Sequence, residues 1–175
     1  MNSHPGKRLL FSQQEIASAV DRLAEEVSRD YQGKIPVLVG VLKGVFIFMA
    51  DLVRRLDLPL EIDFVRLSSY RSGRQTSGEV EMEQDLTCPI KGRDVLVVED
   101  IIDTGLTLAF LLEYLNMQAP ESLRLCALLD KPSRRETQVK IDYLGLTVPD
   151  GFLVGYGLDC DQRYRNLPDI WVLEE

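Results

Sequence analysis

Histidine is almost missing from this chain: His4, in a polar opening stretch, is the single one among 175 residues. That excludes histidine-based triads and His-rich metal sites, because both need imidazoles at defined places. Cysteine is scarce as well. Cys88, Cys126 and Cys160 show no CxxC spacing and are odd in number, so a disulfide framework is not encoded and a reducing compartment is expected. There is also no long unbroken apolar run. The most hydrophobic region, residues 36–53, is interrupted by Lys43 and two glycines, and reads as a buried strand and packed helix rather than a membrane span. Positive charge is in deficit, with 20 Lys and Arg against 28 Asp and Glu and a formal net charge of −8. This argues against a broad nucleic-acid or anionic-membrane surface and leaves room only for a local basic pocket. Residues 1–8 lack the apolar core of a signal peptide, so the cytoplasm is the expected compartment.

What is present is enough for one domain over residues 1–175, with 45% hydrophobic content and no internal repeat or low-complexity tract. Ser12 followed by Glu15 predicts a capping box, and Ile16, Val20, Leu23 and Val27 recur at helical spacing, so a helix is expected to about Asp30. Residues 37–42 are a strand, Lys43 and Gly44 a turn, and residues 45–56 a helix with Arg54 and Arg55 at its cation-favouring end. Residues 60–67 alternate as a strand. Residues 123–129 and 141–148 add two more, with a solvated charged connection at 134–140 between them. The alternation of strands and helices predicts an α/β fold with a mostly parallel central sheet flanked by helices. Residues 68–84 differ: they are polar, glycine-containing and poor in aliphatics, which suits an exposed hairpin or loop, and Ser69, Tyr70, Arg71 and Arg74 would suit a lid over an anion.

The chemistry concentrates in residues 95–108. Val95 to Val98 read as a buried strand, Glu99 and Asp100 sit at its end, and Asp103, Thr104 and Gly105 form a short turn before a helix from Leu106. A helix start reached through Thr and Gly is an anion site, since its free amides and positive dipole end converge on one spot. Two adjacent carboxylates repel phosphate, and their natural partners are hydroxyls or a metal. A ribose phosphate satisfies both halves of the stretch.

These residues resemble the type I phosphoribosyltransferases, and within them the hypoxanthine-guanine phosphoribosyltransferase family. The stretch from Val97 to Thr107 is similar to that family's phosphoribosyl diphosphate (PRPP) motif, Leu42-Lys43-Gly44 to its diphosphate loop, and Ser69-Tyr70 to the start of its lid. Lys131 and residues 149–159 resemble its purine pocket, a small hood beside the sheet, and Arg165 a further active-site arginine. Leu106 departs from the pattern, because some members carry lysine there; the backbone amides and hydroxyls of Thr104 and Thr107 would have to hold the phosphate without it.

The resemblance implies transfer of phosphoribose from PRPP to hypoxanthine or guanine, releasing diphosphate. Glu99 and Asp100 would hold the ribose hydroxyls directly or through a metal. Asp103 would take a proton from the purine's imidazole ring, although spacing alone allows a helix-capping role equally. Mg²⁺ suits the diphosphate, with Asp159 a further metal contact beside Glu99 and Asp100. Lys43-Gly44 would offer backbone amides to diphosphate, in members with a cis peptide between them, and Arg165 would complete that end. Phe152 would stack on the base, Leu153 would meet its edge through the backbone, and Lys131 would donate to its exocyclic oxygen. Trp171 reads as packing. A homodimer or homotetramer is implied. Two other readings share the central motif: a PRPP-sensing regulator that binds RNA or protein, and a xanthine-preferring transferase.

Overall fold

A computed structural model describes residues 6–72 and 75–174, with nothing to be said of the side chains of 69–72 and 75–79. Among the described residues, nine strands and three α-helices follow the chain as β1 (Lys7–Phe11), α1 (Gln13–Asp30), β2 (Val37–Leu42), α2 (Phe46–Val53), β3 (Glu61–Ser72), β4 (Gln75–Gln84), β5 (Asp94–Ile102), α3 (Leu106–Asn116), β6 (Ser122–Asp130), β7 (Tyr143–Thr147), β8 (Phe152–Val154) and β9 (Ile170–Leu173). The larger sheet has the order β4-β3-β2-β5-β6-β7, parallel throughout except for the β3–β4 hairpin at its edge. A second sheet, β1-β9-β8, is antiparallel.

The parallel strands are apolar on both sides because both sides are covered. Leu38, Leu96 and Val98 pack with α1 and α2 through Val20, Leu23, Val27, Phe48 and Leu52, whereas Val37, Val39, Val95 and Val97 pack against Leu108, Leu111 and Leu115 of α3. Helix α1 starts where expected. Ser12 Oγ accepts from the Glu15 amide at 3.4 Å and Glu15 returns a carboxylate oxygen to the Ser12 amide at 2.8 Å, a reciprocal cap. Helix α2 is shorter than its pattern suggested. Arg54 and Arg55 lie just past its end and still serve its carbonyls, donating to Ala50 and Asp51 oxygens.

The sheet order fixes where a ligand can enter. From β2 the chain turns to β3 on one side, and from β5 it runs to β6 and β7 on the other, so a crevice opens between the carboxyl ends of β2 and β5. The β2–β5 ladder stops at Gly40 opposite Val98, but β5 stays paired to β6 as far as Ile102 opposite Asp130. Strand β5 therefore outruns its β2 neighbour, and Glu99 and Asp100 lie on a strand rather than after it. The expected hairpin at 68–84 is present as β3 and β4. The lid role assigned to Ser69 and Tyr70 rests on side chains outside the described residues.

Candidate active site

Two recesses meet at the tip of β5. The larger, about 910 Å³, is lined by Lys43, Gly44, Asp100, Asp103, Lys131, Arg134, Phe152, Leu153, Asp159 and Arg165. The smaller, about 250 Å³, is lined by Leu42, Glu99, Asp103, Thr104, Gly105 and Thr107. Ile101 and Asp103 border both. Strand alternation accounts for the split: successive side chains leave β5 on opposite faces, so Glu99 looks to one recess and Asp100 to the other. Of the residues the sequence singled out, Leu106 lines neither; its amide donates to Thr104 Oγ1 at 3.4 Å.

Glu99 and Asp100 are both buried. Burial, then the charge of its neighbour Asp100, pushes the Glu99 carboxyl well above the ordinary carboxylate range. Burial raises Asp100 too, opposed by its hydrogen bond with Glu99, by the Ile101 amide at 2.8 Å and by the Arg165 guanidinium. Without a ligand this pair is under electrostatic load, and hydroxyl donors or a cation relieve it. Asp103 is less enclosed, with 44% of its side chain exposed. Its Oδ1, however, is sealed from solvent with no hydrogen-bond partner among the described residues, and the Arg134 guanidinium lies 3.5 Å from it. The capping role does not fall to Asp103: the N-cap of α3 is Gly105, at φ 85°, which has no side chain to cap with, and only the Leu106 amide is met, by Thr104 Oγ1. That leaves the Thr107 and Leu108 amides without a side-chain cap and able to face an anion. Gly105 is required on two grounds, since a Cβ there would be strained at that φ and would overlap the Thr137 carbonyl.

At the end of β2, Gly44 is pressed so closely on Asp100 that a Cβ would overlap its carboxylate, and Gly157 leaves the same narrow clearance to the Gly44 carbonyl. The cis peptide lies between Leu42 and Lys43, one residue before the Lys43-Gly44 bond that the resemblance pointed to. Arg165 donates to the Gly157 carbonyl at 2.7 Å and pairs with Asp159 at 2.7 Å. The basic end of the cleft is thus tied to the turn that touches Gly44.

On the far side, Lys131 is only 6% exposed, and its ammonium is held by the Gly151 carbonyl at 2.7 Å. Phe152 is 56% exposed, a ring face bare at the cleft, whereas Leu153 is buried beneath it in β8. Among the described residues no group of three His, Cys, Asp or Glu side chains is arranged to cage a metal. Mg²⁺ needs no such cage where phosphate oxygens and waters supply most of its ligands, and Asp100 and Asp159 both line the cleft.

The connection at 134–140 is largely exposed, as expected, and it also supplies part of the site. Arg134 lines the larger recess, and the Arg135 side chain is 7% exposed, ion-paired with Asp130. Neither carries a sequence signal; a run of charge in a loop is ordinarily a wet face, and only the packing distinguishes these two. Among the described residues all three cysteines are free, and no helix is long and apolar enough to cross a membrane.

Comparison with known proteins agrees with this geometry. Residues 9–161 match the family model of the phosphoribosyl transferase domain. The chain is 47% identical over 174 residues to the hypoxanthine-guanine phosphoribosyltransferase of Bacillus subtilis, covering 99% of this chain and 97% of that protein. It is also 47% identical over 169 residues to the Streptococcus pneumoniae protein of the same name, covering 97% and 94%. A crystal structure of a hypoxanthine phosphoribosyltransferase from Staphylococcus aureus superposes with a TM-score of 0.94 at 44% identity, covering 99% of this chain and 96% of that one. A parallel sheet with its acidic pair beside a Thr-Gly turn, matched end to end by such relatives, means that this chain belongs to the phosphoribosyltransferase family.

Proposed function

We propose that this chain, as one phosphoribosyltransferase domain, transfers phosphoribose from PRPP to a 6-oxopurine, hypoxanthine or guanine, releasing diphosphate. The observation that carries the base class is Lys131: a buried ammonium, fixed by a carbonyl and bordering the same cleft as Asp100 and Asp103. An ammonium offers only donors, so it favours an exocyclic oxygen and leaves the amino group of adenine unmatched.

In this reading the 5-phosphate lies in the smaller recess against Thr104, Gly105, Leu106 and Thr107, and Glu99 and Asp100 accept from the ribose hydroxyls. The base enters the larger recess, stacked on Phe152, with its edge along the Leu153 backbone and its oxygen toward Lys131. Diphosphate occupies the end formed by Lys43, Gly44 and Arg165. A purine ring nitrogen bonds to the sugar carbon as the bond to diphosphate breaks, and the diphosphate leaves with the electron pair. Asp103 takes the proton that the imidazole ring gives up. Positive charge builds on the sugar, and the nearby carboxylates stabilise it. Asp159, with Glu99 and Asp100, is the carboxylate set available to a Mg²⁺ brought by the diphosphate, which would neutralise charge on the leaving group. Closure of the β3–β4 hairpin, with Ser69 and Tyr70, would keep water from wasting PRPP. A cytoplasmic setting and a homodimer or homotetramer belong to the same reading. Phe46, 44% exposed at the start of α2, offers apolar contact area.

The test is turnover with PRPP, Mg²⁺ and a panel of hypoxanthine, guanine, xanthine and adenine, read as diphosphate release. Release with the first two and not with adenine is expected. A preference for xanthine would move the specificity, and PRPP binding without turnover of any base would sink the transferase reading in favour of a sensor.

A further inference from the structure

The turn that would hold the phosphate is braced from behind by one short segment. Three successive carbonyls of that turn are occupied. Ile102 O accepts from the Lys131 amide at 3.0 Å and from Arg135 Nη2 at 3.4 Å. Asp103 O accepts from Arg135 Nε at 3.2 Å. Thr104 O accepts from the Glu136 and Thr137 amides at 2.9 and 3.0 Å. The same guanidinium is ion-paired with Asp130, and both side chains are nearly sealed, at 7% and 13% exposed. Its Cδ lies 3.0 Å from where a Gly105 Cβ would stand, so it also fills the floor of the turn.

The direction of these bonds matters for chemistry in front of the turn. A trans peptide points its carbonyl and the following amide in opposite directions. Holding the carbonyls of 102–104 backward therefore turns the amides of 103–105 forward, away from the brace. Were those peptides free to rotate, carbonyl dipoles would present negative charge to a phosphate in place of N–H donors. The brace also fixes the Asp103 main chain, and with it the starting point of a carboxylate that borders both recesses.

We infer that Arg135 is a positioning residue. It acts through the carbonyls of Ile102 and Asp103 to keep the phosphate-facing amides and the Asp103 carboxylate in register, and touches no substrate itself. Arginine suits this post because one planar fork spans a carboxylate and two carbonyls. Lysine can keep the pair with Asp130 but cannot serve all three acceptors in fixed directions. The inference rests on the reading that residues 104–107 receive the sugar's phosphate.

The test compares wild type, Arg135→Lys and Arg135→Met in the 175-residue chain. It reads the KM for PRPP and for hypoxanthine, kcat, melting temperature, and the Kd of ribose 5-phosphate by calorimetry, which needs no turnover. Arg135→Lys is expected to melt within a few degrees of wild type, while KM for PRPP and Kd for ribose 5-phosphate rise about tenfold, the loss of one or two directed hydrogen bonds. KM for hypoxanthine should move by about twofold or less. Arg135→Met should lose more on the same axis; if it fails to fold, the lysine variant decides. Unchanged ribose 5-phosphate affinity in Arg135→Lys overturns the inference. So does a fall in melting temperature with kcat, KM and Kd all unmoved, the signature of a purely structural ion pair. A wild type that binds ribose 5-phosphate but turns over no base ends the transferase reading alone, and the Kd comparison still decides Arg135. A wild type that does not bind ribose 5-phosphate overturns both.

Discussion

The tip of the six-stranded sheet and the three-stranded sheet meet at one cleft but are built in opposite ways. At the tip, Glu99 to Thr107 lie together in the chain, because a strand, a turn and a helix start arise from consecutive residues. At the small sheet the parts come from separate stretches of chain: Lys131 follows β6, and Phe152 and Leu153 sit in β8, some twenty residues on. Glycines join the two regions, with Gly157 against Gly44 and Gly44 against Asp100. The rigid, paired tip is suited to sugar and phosphate, which are common to every nucleotide. The small sheet, with Phe152 bare at its edge, is suited to the base, which varies. If this division is right, damage to the tip should cost turnover or PRPP affinity, and damage to the small sheet should cost only base affinity.

The largest effect is expected at the border of the two recesses. Asp103→Asn keeps the shape and removes the proposed proton acceptor, so kcat should fall by about a hundred- to ten-thousand-fold, with little change in PRPP affinity or melting temperature. An equal loss of stability and rate would return Asp103 to a structural role. Next come the amides at the pair. Asp100→Asn and Glu99→Gln should each raise the Kd for PRPP by about ten- to a hundred-fold, the worth of a charged hydrogen bond to a hydroxyl, and leave the base's KM nearly alone. Smaller still, Phe152→Ala should raise KM for hypoxanthine by about five- to tenfold with the Kd for PRPP unmoved, because only one stacking face is lost. A PRPP defect in Phe152→Ala would erase the division between the regions.

The finest discriminator is stability against pH. Glu99 has its folded value raised above the ordinary 4.5, so the folded state holds a proton that the unfolded chain has released. Stability is then fully present below the ordinary value and falls as pH rises from there toward the raised folded value. Glu99→Gln removes that loss. At about pH 8 and without ligand it should melt about 2–4 °C above wild type, with the gap closing under acid conditions. No gap at any pH would mean that the pair carries no such load.

Local pattern was enough for much of this molecule. Ser12 with Glu15 announced the start of α1, the continuous apolar runs announced β2, β5 and β6, and the acidic pair before Asp103-Thr104-Gly105 announced the tip. Each of those signals is a property of neighbours in the chain, where hydrogen-bond geometry and periodicity act directly. The N-terminal strand β1 and its pairing with β9 left no such trace, since an edge strand of five residues takes its definition from its partner. The extension of β5 to Ile102 was hidden for the same reason, because it depends on where β2 stops and β6 continues.

By itself, then, the order of residues determined the layered α/β architecture and the chemistry of one strand tip, for both follow from short-range periodicity and from side chains adjacent in the chain. Only the tertiary structure decided which face each carboxylate of the pair serves, that Gly44 rests on Asp100, that Lys131 is buried beside Phe152, and that Arg135 is a sealed brace rather than a wet surface charge. Those outcomes are set by which segments pack together across long loops, and by the burial that turns an ordinary charge into a costly, directed one.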